Sequence, residues 1–185
     1  ANDGIIIAQE TQNGSVVPFS GVFLGLNAQT ADLVKGDLIN ITSASVEEAS
    51  IRSNSNTYSY LEIPENGLTV ISQGNDIAAY IPTMSTDRFN EEVEPGEAWE
   101  GMLVSFENVQ VTDIGGFGEF TLTTVGNSNG IIINEDSRAS AIGETGFPSW
   151  VNELVRQDVT FTSVTAIGTR TFGPAKLIPR GPQDC

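Results

Sequence analysis

The sequence predicts an all-β fold made of two small β-barrel modules in tandem. Three observations predict it. The 185 residues suffice for one all-β domain or two small ones, and are enough to bury a core. Hydrophobic residues come mostly in short runs with many β-branched members, divided by Gly, Asn, Asp and Pro, which is the pattern of strands and turns. Helical spacing is clearest over residues 148–157, where Ser149 can cap and Trp150, Val151, Leu154 and Val155 form one apolar face. One short helix is expected there.

Strands are expected near residues 4–9, 16–26, 37–46, 58–63 and 68–73 in the first half. The second half should contribute strands near 102–112, 118–125, 130–134, 158–167 and 175–179. In Leu103-Val104-Ser105-Phe106-Glu107-Asn108-Val109-Gln110-Val111 the polar and apolar residues alternate imperfectly. That suggests burial on both faces for part of the strand, as in a small barrel. Leu33-Val34-Lys35-Gly36 and Pro64-Glu65-Asn66-Gly67 read as turns. Gly115-Gly116-Phe117-Gly118 reads as a hairpin turn whose glycines supply positive φ; with no following Lys-Ser/Thr it is not a phosphate loop.

Residues 82–97 combine Pro82, Pro95, Gly96 and a dense set of acids, and read as an acidic linker. They divide the chain into modules at 1–81 and 98–185. Weak self-similarity crosses the divide. Val34-Lys35-Gly36-Asp37-Leu38-Ile39-Asn40-Ile41 and Trp99-Glu100-Gly101-Met102-Leu103-Val104-Ser105-Phe106 both place a Gly before a strand. Val155-Arg156-Gln157-Asp158-Val159-Thr160-Phe161 repeats the first of these without the Gly. Related β modules, rather than a solenoid, follow from that spacing.

Composition narrows the function. The chain has no histidine, the usual general base near neutral pH and the commonest metal ligand. Ser-His-Asp and Cys-His catalysis and ordinary catalytic zinc sites are thereby excluded. Cys185 is the only cysteine, so no internal disulfide can form; it reads as a terminal thiol, or as a point of intermolecular attachment. Eight Lys+Arg against 24 Asp+Glu give a formal net charge of -16. No apolar run approaches the ~18–20 residues of a membrane-spanning helix. The opening Ala1-Asn2-Asp3-Gly4 is what a processed mature protein, or a domain of a longer one, would show. With few lysines and many acids, Asn, Ser and Thr, an extracellular location is expected.

Two stretches carry a resemblance. Val34-Lys35-Gly36-Asp37-Leu38-Ile39-Asn40-Ile41-Thr42 resembles a V-G-D-x-V-x-V-x-G strand, and Trp99-Glu100-Gly101-Met102-Leu103-Val104 opens a segment similar to Y-E-G-M-L-V followed by V-x-V-T. Phe117-Gly118-Glu119-Phe120-Thr121-Leu122 follows, and Phe172-Gly173-Pro174-Ala175-Lys176-Leu177-Ile178-Pro179 is similar to a closing F-G-x-Y-R-L-x-P strand. These are patterns of the OB-like modules of secreted bacterial endonuclease/exonuclease/phosphatase-family nucleases. The resemblance spans most of residues 4–181 and implies two OB-like barrels serving as an accessory module that handles a polymer substrate. The nuclease domain of that family is absent from this chain. Against that pattern the family's first long strand is expected to be missing or exchanged, since Ile5-Ile6-Ile7 follows directly on Asn2-Asp3-Gly4.

OB-folds bind single strands through a positive groove and exposed aromatics. Tyr58, Tyr60, Tyr80, Phe117 and Phe120 are stacking candidates, although most of them read first as core or cross-strand residues. Residues 1–155 carry 22 acids and four bases, so a phosphate footprint belongs to the C-terminal stretch. Its candidates are Arg156, Arg170, Lys176 and Arg180, with Phe172 and Phe117 beside them. Asp87, Glu91, Glu92, Glu94 and Glu97 form an acidic run that reads as a solvated loop or as calcium ligands, although EF-hand spacing is absent. Asn134-Glu135-Asp136 is a looser candidate.

The leading expectation is therefore a non-catalytic extracellular module that binds or presents a polymer, nucleic acid by resemblance, for a nuclease domain. The alternative is a self-assembling structural or filament subunit, head to tail, with calcium as a candidate stabiliser, in which Ile5, Ile6 and Ile7 exchange into a neighbour's sheet. A carboxylate hydrolase would need two acids held in one cleft, and nothing in the sequence selects such a pair.

Overall fold

Alternating β-branched residues bounded by Gly, Asn and Pro form the strands, and their register decides which side chains are enclosed. The computed structural model describes residues 5–8, 17–50, 57–91, 96–115, 119–134, 155–170, 174–180 and 184. In the first half, β1 (Ile5–Ala8), β2 (Gly21–Leu24), β4 (Ser45–Ser50) and β5 (Thr57–Glu62) make a sheet in the order β1-β2-β5-β4. β2 and β5 run parallel, and the other neighbours antiparallel. β3 (Leu38–Ile41) and β6 (Leu68–Ser72) pair separately and antiparallel.

The turns expected here form as hydrogen-bonded turns. Asp37 N donates to Val34 O at 3.1 Å with Gly36 at φ +92°, and Gly67 N donates to Pro64 O at 2.9 Å with Asn66 at φ +62°. Among the described residues of this half, Leu24 and Ile63 are the only buried large apolar side chains. Val46, Val70 and Ile71 stand exposed. The first half is thinly cored.

The second half closes. β8 (Leu103–Ile114), β9 (Phe120–Thr124), β10 (Ile131–Ile133), β12 (Ala175–Ile178) and β11 (Thr160–Arg170) follow one another around a five-stranded barrel, and β11 pairs back onto β8. β10 and β12 run parallel and all other barrel neighbours antiparallel. This is the connectivity of a five-stranded Greek-key barrel of OB type. Val104, Phe106, Val109, Val111, Phe120, Leu122, Ile131, Ile133, Val164, Ala166 and Leu177 form its core.

The imperfect alternation of β8 has a different cause from the one expected. Val104 and Phe106 face the core, then Glu107 and Asn108 are both exposed, then Val109 and Val111 face the core. Asn108 sits at φ +50°, so the inward set slips from even to odd positions there. On the partner strand Thr162 and Ser163 are likewise both exposed. A strand that pairs with β11 on one edge and β9 on the other has to coil, and this irregularity supplies the bend.

The stretch expected to be a linker is largely built onto this barrel. β7 (Thr83–Met84) lies parallel to β8, and Ser85 caps α1 (Thr86–Phe89) by accepting from Arg88 N at 3.2 Å. Phe89 is fully buried and meets Phe106 edge to face, with ring centroids 5.9 Å apart. Ala98 and Trp99 are buried in the same core. Most of the helix expected at 148–157 lies outside the described residues; Val155 and Arg156 are not helical, Gln157 is in a turn, and Val155 packs on the core.

The two halves repeat one plan. β1, β2 and β5 pair as β9, β10 and β12 do, and β3 with β4 together correspond to β11. Gly25 N donates to Leu61 O at 2.9 Å where Asn134 N donates to Leu177 O at 2.8 Å. The turn before β3 recurs before β11, where Val159 N donates to Arg156 O at 3.1 Å and Asp158 takes φ +68°. No described strand of the first half precedes β1 as β8 precedes β9. The edge of β3 equivalent to the one β8 holds on β11 is instead taken by β6, which comes after β5 in the chain. The halves meet closely: Phe19 N donates to Ala98 O at 2.7 Å, and a Cβ on Gly21 would stand 2.4 Å from Gly101 O.

Candidate ligand-binding surface

In an OB-type barrel the ligand face is formed by the second and third strands with the loops that enter the second and the fifth. Here those are β9 and β10, the β8–β9 loop and the β11–β12 loop. Gly115 N donates to Glu119 O at 2.9 Å and closes the first loop. Arg170 opposite Ala175 closes the second.

Lys176 stands level with Ile132 on β10, which in turn stands level with Thr121 on β9. From β12 it reaches across β10 to form an ion pair with Glu119, at the entry to β9. The residues at the exits of both loops are thereby joined. Lys176 is only 5% exposed, and a lysine that deep is tolerable because a carboxylate meets it.

The other proposed cations divide. Arg180 is held by Asp184, with Nε 3.0 Å from Oδ2 and Nη2 2.6 Å from Oδ1, while its own backbone N donates to Oδ2 at 2.7 Å. Asp184 is itself buried. Arg156 is exposed in the turn before β11. Arg170 ends β11 at the mouth of the β11–β12 loop; Phe117 and Phe172 lie outside the described residues. The structure thus joins the two loop bases through Lys176, but does not gather four free cations on one face.

Of the stacking candidates, Phe120 belongs to the core, because alternation along β9 turns it inward with Leu122. Tyr60 and Tyr80 are half-buried. In the acidic run Asp87 accepts from Asn129 N at 2.9 Å and Glu91 pairs with Arg88. Glu97 sits in a short 3-10 turn, and Glu92 and Glu94 lie outside the described residues. Among the described residues no three acidic or sulfur-bearing side chains gather in a metal-sized group. Ile5, Ile6 and Ile7 pair with Leu24, Phe23 and Val22 of their own chain.

Sequence reading missed the Lys176–Glu119 pair. Its one signal was a lysine flanked by Ala175 and Leu177 in a strand otherwise apolar. Comparison with protein-family models, with curated proteins and with solved structures finds no match. No helix among the described residues is long and apolar enough to cross a membrane.

Proposed function

We propose that this chain is a non-catalytic extracellular module that holds a polymer against its second barrel, nucleic acid by the resemblance of its motifs, beside a nuclease domain. The observation that supports the reading is the OB-type connectivity of β8 to β12, together with the Lys176–Glu119 pair that links β12 to the entry of β9. With Lys176 and Arg180 engaged by carboxylates, phosphate contact falls to Arg156 and Arg170, and base stacking to Phe117 and Phe172.

That division fixes an expected salt response. Each phosphate contact to a single strand contributes a slope of about -0.7 in log K against log salt, so two arginines give a shallow dependence near about -1.4. Anisotropy titration of a labelled single-stranded oligonucleotide at low salt should show binding with that slope. Arg156→Ala should roughly halve the slope. No binding at low salt, on folded protein, would refute the reading.

A further inference from the structure

The first half has a place that its own described strands leave open. In the second barrel β8 is paired on both edges, with β11 and with β9. β6 holds the equivalent place against β3, so its other edge corresponds to the one that meets β9. The counterpart of β9 is β1, which ends its sheet beside β2. Among the described residues, β1 and β6 are not paired with each other.

These two edges differ from the sheet's far end in charge. β4, at that end, presents Glu47 and Glu48, both exposed, the charged side chains that keep an edge from recruiting another strand. β1 is Ile-Ile-Ile-Ala and β6 is Leu-Thr-Val-Ile-Ser, neither with a charge. The β3–β6 ladder slips at Ile71, which stands 63% exposed, and Val70 is 44% exposed. In a chain of net charge -16, uncharged strand edges are where two copies can meet without opposing carboxylates.

We propose that the occupant of this place is a second copy of the chain: the edge of β1 that no described strand holds pairs, in the next molecule, with the corresponding edge of β6. The pairing repeats within the first half the β9–β8 neighbour relation of the second. Because the two edges are different surfaces, the contact is head to tail and propagates into a ring or an open fibre. The proposal is independent of the ligand reading, since β9, β10 and their loops lie on the other barrel.

Sedimentation or light scattering on the full chain over a wide concentration range tests it. The expected result is a mass that grows with concentration well beyond a dimer. Thr69→Lys, on an exposed position of β6, should return the mass to that of one chain, while Val125→Lys on the second barrel should leave assembly intact. Val70→Lys serves as the second edge variant, with circular dichroism confirming the fold of each. A wild-type protein of single-chain mass at every concentration, as closure of β1 on β6 within one molecule would give, overturns the proposal. So does assembly that the folded edge variants leave unchanged. Oligonucleotide binding by Thr69→Lys should match the wild type, so failure of one reading does not mimic failure of the other.

Discussion

At the scale of single residues, charge counting and charge placement diverge. The sequence shows Lys176 as one of eight basic residues in an acidic chain, and a basic residue near the C-terminus invites a phosphate. In the fold it is enclosed and committed to Glu119, so its removal acts first on stability. Lys176→Met leaves the Glu119 carboxylate, whose side chain is 26% exposed, without that cation. The expected loss is about 2 kcal/mol, below the range for a fully buried pair because water still reaches Glu119. Adding Glu119→Gln should recover most of that loss. Urea unfolding of both single variants and the double variant measures the coupling, and additive effects would show that the pair contributes nothing. Pairings of this kind were not legible in the sequence, because Glu119 and Lys176 are brought together only by the register of β9, β10 and β12. Phe120 shows the opposite case: its alternation with Leu122 already marks a core residue.

At the scale of elements, strands and turns were legible where apolar runs alternated between Gly, Asn and Pro, although the one strand expected at 37–46 is two, β3 and β4. The acidic stretch at 82–97 misled because its composition is that of a linker, while one residue, Phe89, fills the core beside Phe106. β8 misled for a backbone reason. Period-2 reading assumes an unbroken pleat, and Asn108 breaks it at φ +50° while its carbonyl accepts from Val125 N at 2.8 Å. Asparagine tolerates that conformation and a β-branched residue does not. Asn108→Val should therefore cost about 1–2 kcal/mol, whereas Asn108→Gly should leave stability within about 0.5 kcal/mol of the wild type. Thermal or chemical denaturation of the pair decides it. Equal losses in both variants would mean that the side chain, rather than the backbone bend, is what the position requires.

At the scale of the whole molecule the two halves share a plan and differ in what it encloses. The shared plan was only faintly legible, as a turn ahead of a strand near Gly36 and again near Asp158, because β6, which holds the place of β8 in the first half, comes last of its strands rather than first. The buried apolar cluster runs from Phe89 to Leu177 with Met84 packed against it, and among the described residues it takes none from β1 to β6. Opening free energies should follow this asymmetry. Amide hydrogens of β8 and β11 should exchange slowest, at or near the global unfolding rate, and those of β1, β3 and β6 should exchange faster. Salt adds a second, opposed pair of expectations. Screening relieves the self-repulsion of a -16 chain, so added salt should slow exchange throughout the first half and favour contact between its uncharged edges. The same salt should weaken any hold on a phosphate backbone. Measured on one sample across a salt series, β1 and β6 protection that rises together with particle mass would tie the open place to assembly. Protection that stays flat while mass rises would place the contact between copies somewhere else on the surface.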